Sequence, residues 1–240
     1  MWMRRLQLGL LLMLGIAPAL GQQHTSREPY ALETFGMFRS LILNGDFTPK
    51  VTLRDVMAKD PTTGVGALAD ARGEITIFGG RLIVSHGREA SHPNAEDEAA
   101  ALLAVGTVAG WQTVVLDHDV APSEIEAFIA QAASARGIKP DVTFPFQMRA
   151  TLLDYVMHVN AAPTNGPHGI GQPIAITVET KGDAVEGTVA GFYVSPDLAG
   201  VVSHGGTRTH SHWLALDGNS TAHLDQWGIK SGAVLLLPKP

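Results

Sequence analysis

The chain has 240 residues, 45% of them hydrophobic and 17% charged, which is enough apolar material for one large or two small cored domains and too much for a disordered chain. A formal charge of −6 gives no electrostatic support to a nucleic-acid role. Cysteine is absent, so no disulfide contributes, and stability must come from the core and from any bound metal. The opening stretch "MWMRRLQLGLLLMLGIAPALGQQ" has a positive region at Arg4 and Arg5 and an apolar run from Leu6 to Ile16. Ala19-Leu20-Gly21 then offers small residues at signal-peptidase spacing. Residues 1–21 are therefore expected to be a secretory signal peptide, and the mature protein to be secreted or periplasmic in a bacterium, without membrane association. The apolar run is shorter than the roughly 20 residues a membrane-spanning helix needs.

Residues 22–30 read as a polar leader. Leu32, Phe35, Phe38, Leu41 and Ile42 recur at helical spacing, so a helix is expected over 31–43, stopped by Gly45, with a second short helix over 51–58. "GEITIFGGRLIV" predicts a hairpin, because Gly79-Gly80 accepts the positive φ of a two-residue turn. A strand is expected at 113–119. "APSEIEAFIAQAASARG" is the clearest helix, with Pro122 near its start, Gly137 at its end and Ile125, Phe128, Ile129 and Ala132 as its buried stripe. Beyond Pro140 the pattern turns strand-like at 142–159, 173–180, 184–195, 208–216, 219–225 and 233–237, with "NAAPTNGPHGIGQP", "KGDA" and "SPDLAG" between strands. The predicted class is α+β: a mixed β-sheet with helices over 22–140, then a mostly antiparallel, half-closed β-barrel over 141–240 carrying a metal site.

That site is read from "RTHSHWLALDGNSTAHLD". A two-residue turn at Asp217-Gly218 places His212 directly opposite His223. His210 shares the face of His212, because strand side chains alternate. Directly opposed Cβ atoms lie about 4.5–5.5 Å apart, so three imidazoles converge. Three neutral imidazoles suit Zn²⁺ and leave one coordination position open. A one-residue slip would break the pairing. Asp225, placed opposite His210, is a candidate outer ligand or an orienter of an imidazole. His204 reads as a loop histidine that could line the site. His86, His92, His118, His158 and His168 show no such pattern and read as structural or exposed.

The spacing H-x-H-x10-H, preceded by "GFYVSPDLAGVVSHGGTRT", resembles the C-terminal region of the α-acetolactate decarboxylase family. The shared features are Gly191, Phe192, Pro196 and the three histidines, which in that family hold zinc. "GVGALADARGEITIFGGRLIV" is similar to the family's G-x-F-x-x-L-x-G-E-L segment, and Glu74 falls on its glutamate. The resemblance implies that Glu74 lies close to the metal. It also implies zinc-dependent decarboxylation of 2-acetolactate, a small 2-hydroxy-3-oxo acid, to acetoin through a metal-stabilised enediolate, and a homodimer in contact through the N-terminal sheet. The family's catalytic arginine corresponds to the strand "DYVMHVNAAP", where Asn160 stands; Arg208 and Arg149 are the candidates for its role, with His158 as a further neighbour. The family's C-terminal glutamate has no obvious counterpart in "GIKSGAVLLLPKP". Two other readings remain at this point: a metal-dependent enzyme acting on another small oxo acid, and a non-catalytic periplasmic zinc-binding module.

Overall fold

The computed structural model describes residues 30–87, 94–161 and 176–240. The expected signal peptide, His92 and His168 lie outside these residues. A first sheet is built from Tyr30–Phe35 (β1), Val51–Thr52 (β2), Thr63–Leu68 (β3), Gly73–Phe78 (β4), Arg81–His86 (β5) and Ala99–Val108 (β6), with helices Phe38–Asn44 (α1) and Leu53–Met57 (α2) between its early strands. Its order is β1-β6-β3-β4-β5, and β2 also pairs with β6. A second sheet comprises Trp111–Val115 (β7), then, after helix Ile125–Ser134 (α3), Phe144–Ala161 (β8), Ile176–Tyr193 (β9), Thr209–Leu214 (β10), Thr221–Ile229 (β11) and Val234–Pro238 (β12).

All pairings between these strands are antiparallel, so the α+β class holds, and uniform strand direction replaces the mixture expected in the first sheet. In the second sheet β11 pairs with both β10 and β8, closing β8-β9-β10-β11 into a ring, while the first half of β8 continues outward to β12 and β7. Among the described residues no helix is long and apolar enough to cross a membrane.

Three expectations change. The helix over 31–43 is instead strand β1 followed by α1. Gly36 separates them at φ 73°, and a Cβ there would sit 2.1 Å from the Ala101 carbonyl oxygen. The apolar series simply ran across that break, and pairing of β1 with β6 outweighed the helical spacing. The division at 140 also fails to follow the sheets. β7 pairs with β12, and Ile125, Ile129 and Ala133 of α3 pack into the second sheet's core, so residues 111–138 belong there. Finally, "KGDA" is no loop. β9 runs straight through it, Gly182 and Ala184 facing Tyr155 and Leu153 on β8. Its polar residues reflect an exposed stretch of ribbon rather than a turn.

The two sheets meet face to face. Val65 and Ala104 of the first pack on Ala190, Phe192 and Val194 of the second, with Val202 completing the cluster. Fully burying a side chain such as Phe192 contributes about 1.5–3 kcal/mol. This packing brings β4 across the hairpin formed by β10 and β11, the meeting point on which the candidate site depends.

Candidate metal centre

The β10–β11 register is the one read from the sequence: His212 faces His223, Trp213 faces Ala222 and Leu214 faces Thr221. The turn itself is different. Residues 216–219 form a four-residue loop, closed by the Gly218 N–H donating to the Ala215 carbonyl at 2.9 Å and the Ala215 N–H donating to the Ser220 carbonyl at 3.0 Å. Gly218 is left-handed at φ 71°, whereas Asp217 does not take a positive φ, so the two-residue turn, whose first residue needs one in either common form, does not form. The loop takes one extra residue from each strand, Leu216 and Asn219, so the pairing beyond it is unchanged.

His210, on the same face, pairs with Phe192 of β9. All three rings are buried, and each pair of ring centroids lies 5.1–5.2 Å apart. One ligand atom from each ring falls within 4.8 Å of the others. Burial pushes every one of these imidazoles down, His210 to about 3, with the neighbouring histidines adding to the effect. All three are therefore neutral near pH 7, the form that binds metals. His210 Nδ1 is buried without a hydrogen-bond partner among the described residues. A buried, unpaired imidazole nitrogen is costly, and a cation would satisfy it. The donor set thus fits a divalent metal such as zinc.

Glu74, on β4, completes the cluster from the first sheet. Its side chain is 2% exposed, with Oε2 3.7 Å from His212 Nε2 and Oε1 accepting the Asn160 backbone N–H at 3.1 Å. Desolvation pushes its carboxyl up to about 8, opposed by the charge of His158 and the Asn160 hydrogen bond. In the metal-free protein the Glu74–His212 contact is therefore a neutral pair. His212 Nε2 also lies 3.3 Å from His223 Nδ1, while its Nδ1 is held 3.0 Å from the Thr76 hydroxyl.

Two further histidines join this cluster, His158 and the loop residue His204 that the sequence reading allowed to line the site. His158, read as structural or exposed, faces His223 across the β8–β11 ladder, with ring centroids 4.9 Å apart. Its Nδ1 is 2.6 Å from Asp225 Oδ2. Burial lowers its pKa, but the acidic groups around it, the Asp225 hydrogen bond foremost, outweigh this and raise it. Only the pairing of β8 with β11, strands about 65 residues apart in sequence, makes His158 a neighbour; nothing local signals it. His204 stands 5.6 Å from the His223 ring and forms a second possible ligand group with His223 and Asp225. Asp225 is not paired with His210, because irregularities in the β8–β11 ladder carry it towards His158.

The two arginines lie elsewhere. The Arg208 guanidinium donates to the carbonyls of Val194 and Pro140 and stacks over Tyr193 at 4.8 Å. Arg149 is exposed, opposite Val234 and Thr188, nine residues along β8 from His158. Neither is brought to the histidines. A cleft of about 760 Å³ opens on His223, lined also by Glu126, His204, Thr207, Thr209 and Asp225.

A family model described as alpha-acetolactate decarboxylase matches residues 35–237. No curated protein sequence matches the chain significantly. Among solved structures, alpha-acetolactate decarboxylase from Bacillus subtilis strain 168 is 15% identical, with a TM-score of 0.70 over 87% of this chain and 86% of that one. Acetolactate decarboxylase from Bacillus subtilis subspecies spizizenii gives 15% identity and a TM-score of 0.66, covering 87% and 86%. A Staphylococcus aureus protein of unknown function, described as similar to alpha-acetolactate decarboxylase, gives 13% and 0.65, covering 86% and 84%. These likenesses show a shared fold. With a family match spanning most of its length, including all three histidines and Glu74, the chain belongs to the alpha-acetolactate decarboxylase family.

Proposed function

We propose that the protein is a zinc-dependent acetolactate decarboxylase, converting 2-acetolactate to acetoin and CO₂. The observation that carries this reading is the convergence of His210, His212 and His223 with the buried Glu74, in a chain whose family indicates a carboxy-lyase. His210, His212 and His223 would hold the metal, which supplies positive charge against the negative charge that develops on oxygen as the carboxylate carbon leaves.

The reaction breaks the bond between C2 and the carboxylate carbon and replaces it with a C–H bond. Glu74 is suited to hold the proton that moves. Its desolvated carboxyl keeps a proton near neutral pH and lies within reach of the histidine cluster, and a titrating group with a pKa near the working pH serves best as acid and base. Asn160 fixes the carboxyl by its backbone N–H. His158, tied to Asp225, flanks the same space. Export through residues 1–21 belongs to the same proposal.

Purified protein given 2-acetolactate should release acetoin, lose that activity with a chelator and regain it with zinc. Acetoin formation that survives complete metal removal, or none from zinc-loaded protein, refutes the reading. A second reading, a non-catalytic zinc-binding module, is favoured by one observation: among the described residues the cleft is lined by Glu126 and Asp225 but by no lysine or arginine to hold a substrate carboxylate. Zinc bound at the histidines without turnover of acetolactate or a related 2-hydroxy-3-oxo acid would support it.

A further inference from the structure

Behind His212 three polar groups stand in a row. Thr76 Oγ1, on β4, lies 3.0 Å from His212 Nδ1 and 2.6 Å from Thr221 Oγ1 on β11. The Thr221 hydroxyl in turn donates to the Trp213 carbonyl on β10 at 2.9 Å. Both threonines are buried, 0% and 1% exposed, so water cannot substitute for a missing partner.

The end of the row sets the direction of every bond in it. A carbonyl oxygen only accepts, so the single Thr221 proton is committed to Trp213. Thr221 must then accept from Thr76, which commits the Thr76 proton. Thr76 is left as an acceptor towards His212, whose Nδ1 must therefore carry hydrogen. Any other assignment loses one of three buried hydrogen bonds, at a cost of about 1–3 kcal/mol.

We infer that Thr76 and Thr221 are positioning residues that lock His212 in the Nδ1–H tautomer, turning a bare Nε2 lone pair towards Glu74 and His223. The inference rests on reading the histidines as a metal centre. A metal-ligating imidazole needs its other nitrogen held in this way, and the strands that supply the hydroxyls come from both sheets. The hydroxyl row couples correct packing of the sheets to readiness of the ligand.

The test uses the full mature chain, with side-chain ¹⁵N NMR of histidine in the zinc-free state and zinc affinity from chelator competition. Zinc-free wild type should show His212 protonated on Nδ1. Thr76→Val, which keeps shape and removes the hydroxyl, should weaken zinc binding about 10–100-fold, and Thr76→Ser should restore most of the loss. Thr221→Val touches neither His212 nor the metal. It frees the Thr76 proton to donate to Nδ1, and should shift His212 towards the Nε2–H tautomer while weakening zinc binding. A purely structural role for the threonines would leave that tautomer unmoved. His212 protonated on Nε2 in wild type, or Thr76→Val with unchanged zinc affinity, overturns the inference. If Thr76→Val does not fold, the wild-type tautomer and Thr221→Val still decide it. A wild-type protein with the Nδ1–H tautomer that binds no zinc would sink the metal reading alone.

Discussion

Glu74→Gln should stabilise the zinc-free protein, increasingly as pH rises. The buried carboxyl titrates at about 8, against an ordinary value of 4.5. A raised folded-state pKa means that the stability it confers is complete below pH 4.5 and is lost as pH climbs towards 8. Each pH unit in that window costs about 1.4 kcal/mol, so between pH 5 and 7.5 wild type should lose about 3 kcal/mol through this group alone. Glutamine has no proton to lose, and its carbonyl can still accept the Asn160 N–H that Glu74 Oε1 accepts. Urea unfolding of chelator-treated wild type and variant at both pH values measures the difference directly. The stability gap should widen by about 3 kcal/mol in favour of the variant, while turnover of the zinc-loaded variant falls. A gap that stays constant between pH 5 and 7.5 would show that Glu74 is solvated or paired and would remove the basis for its proton-holding role.

Other outcomes follow from the same geometry. His212→Ala should abolish zinc binding and acetoin formation together, checked by elemental content and by assay. Calorimetry in buffers of different ionisation enthalpy at pH 6.5 should find no proton released from the three imidazoles as zinc binds, because burial already keeps them neutral; a release of three would contradict the burial of the histidines. Gly191→Ala would place a Cβ 2.6 Å from Phe146 Cζ and 2.9 Å from the His210 carbonyl oxygen, and should cost about 1–3 kcal/mol in urea unfolding. Protein recovered from the periplasm of a secreting host should begin at Gln22 by mass spectrometry.

Several parts of the molecule were legible in the sequence because the forces that shape them are local. Gly79 and Gly80 take φ of 56° and 80°, as their hairpin requires. Ile125 and Ile129 bury the face of α3 that their spacing marks. The pairing of His212 with His223 follows from side-chain alternation over a short connection, and even the mistaken turn length left it intact, since the loop grew by one residue from each strand. Helical spacing misled at residues 31–35, where pairing with β6 decided the outcome, and polarity misled at "KGDA", where exposure imitated a turn.

The chain's own order of residues thus determined a hairpin that presents three imidazoles on one face. Which groups oppose them was left to the packing of two sheets. Glu74 and Thr76 reach His212 from residues 138 and 136 positions away, and His158 and Asp225 meet through a ladder between distant strands. Arg149 and Arg208 are held elsewhere by their own strand and carbonyl partners. Alternation along a strand is set by backbone sterics within a few residues, whereas contact between sheets depends on how apolar faces such as Val65 and Phe192 fit together, which no short stretch of sequence contains.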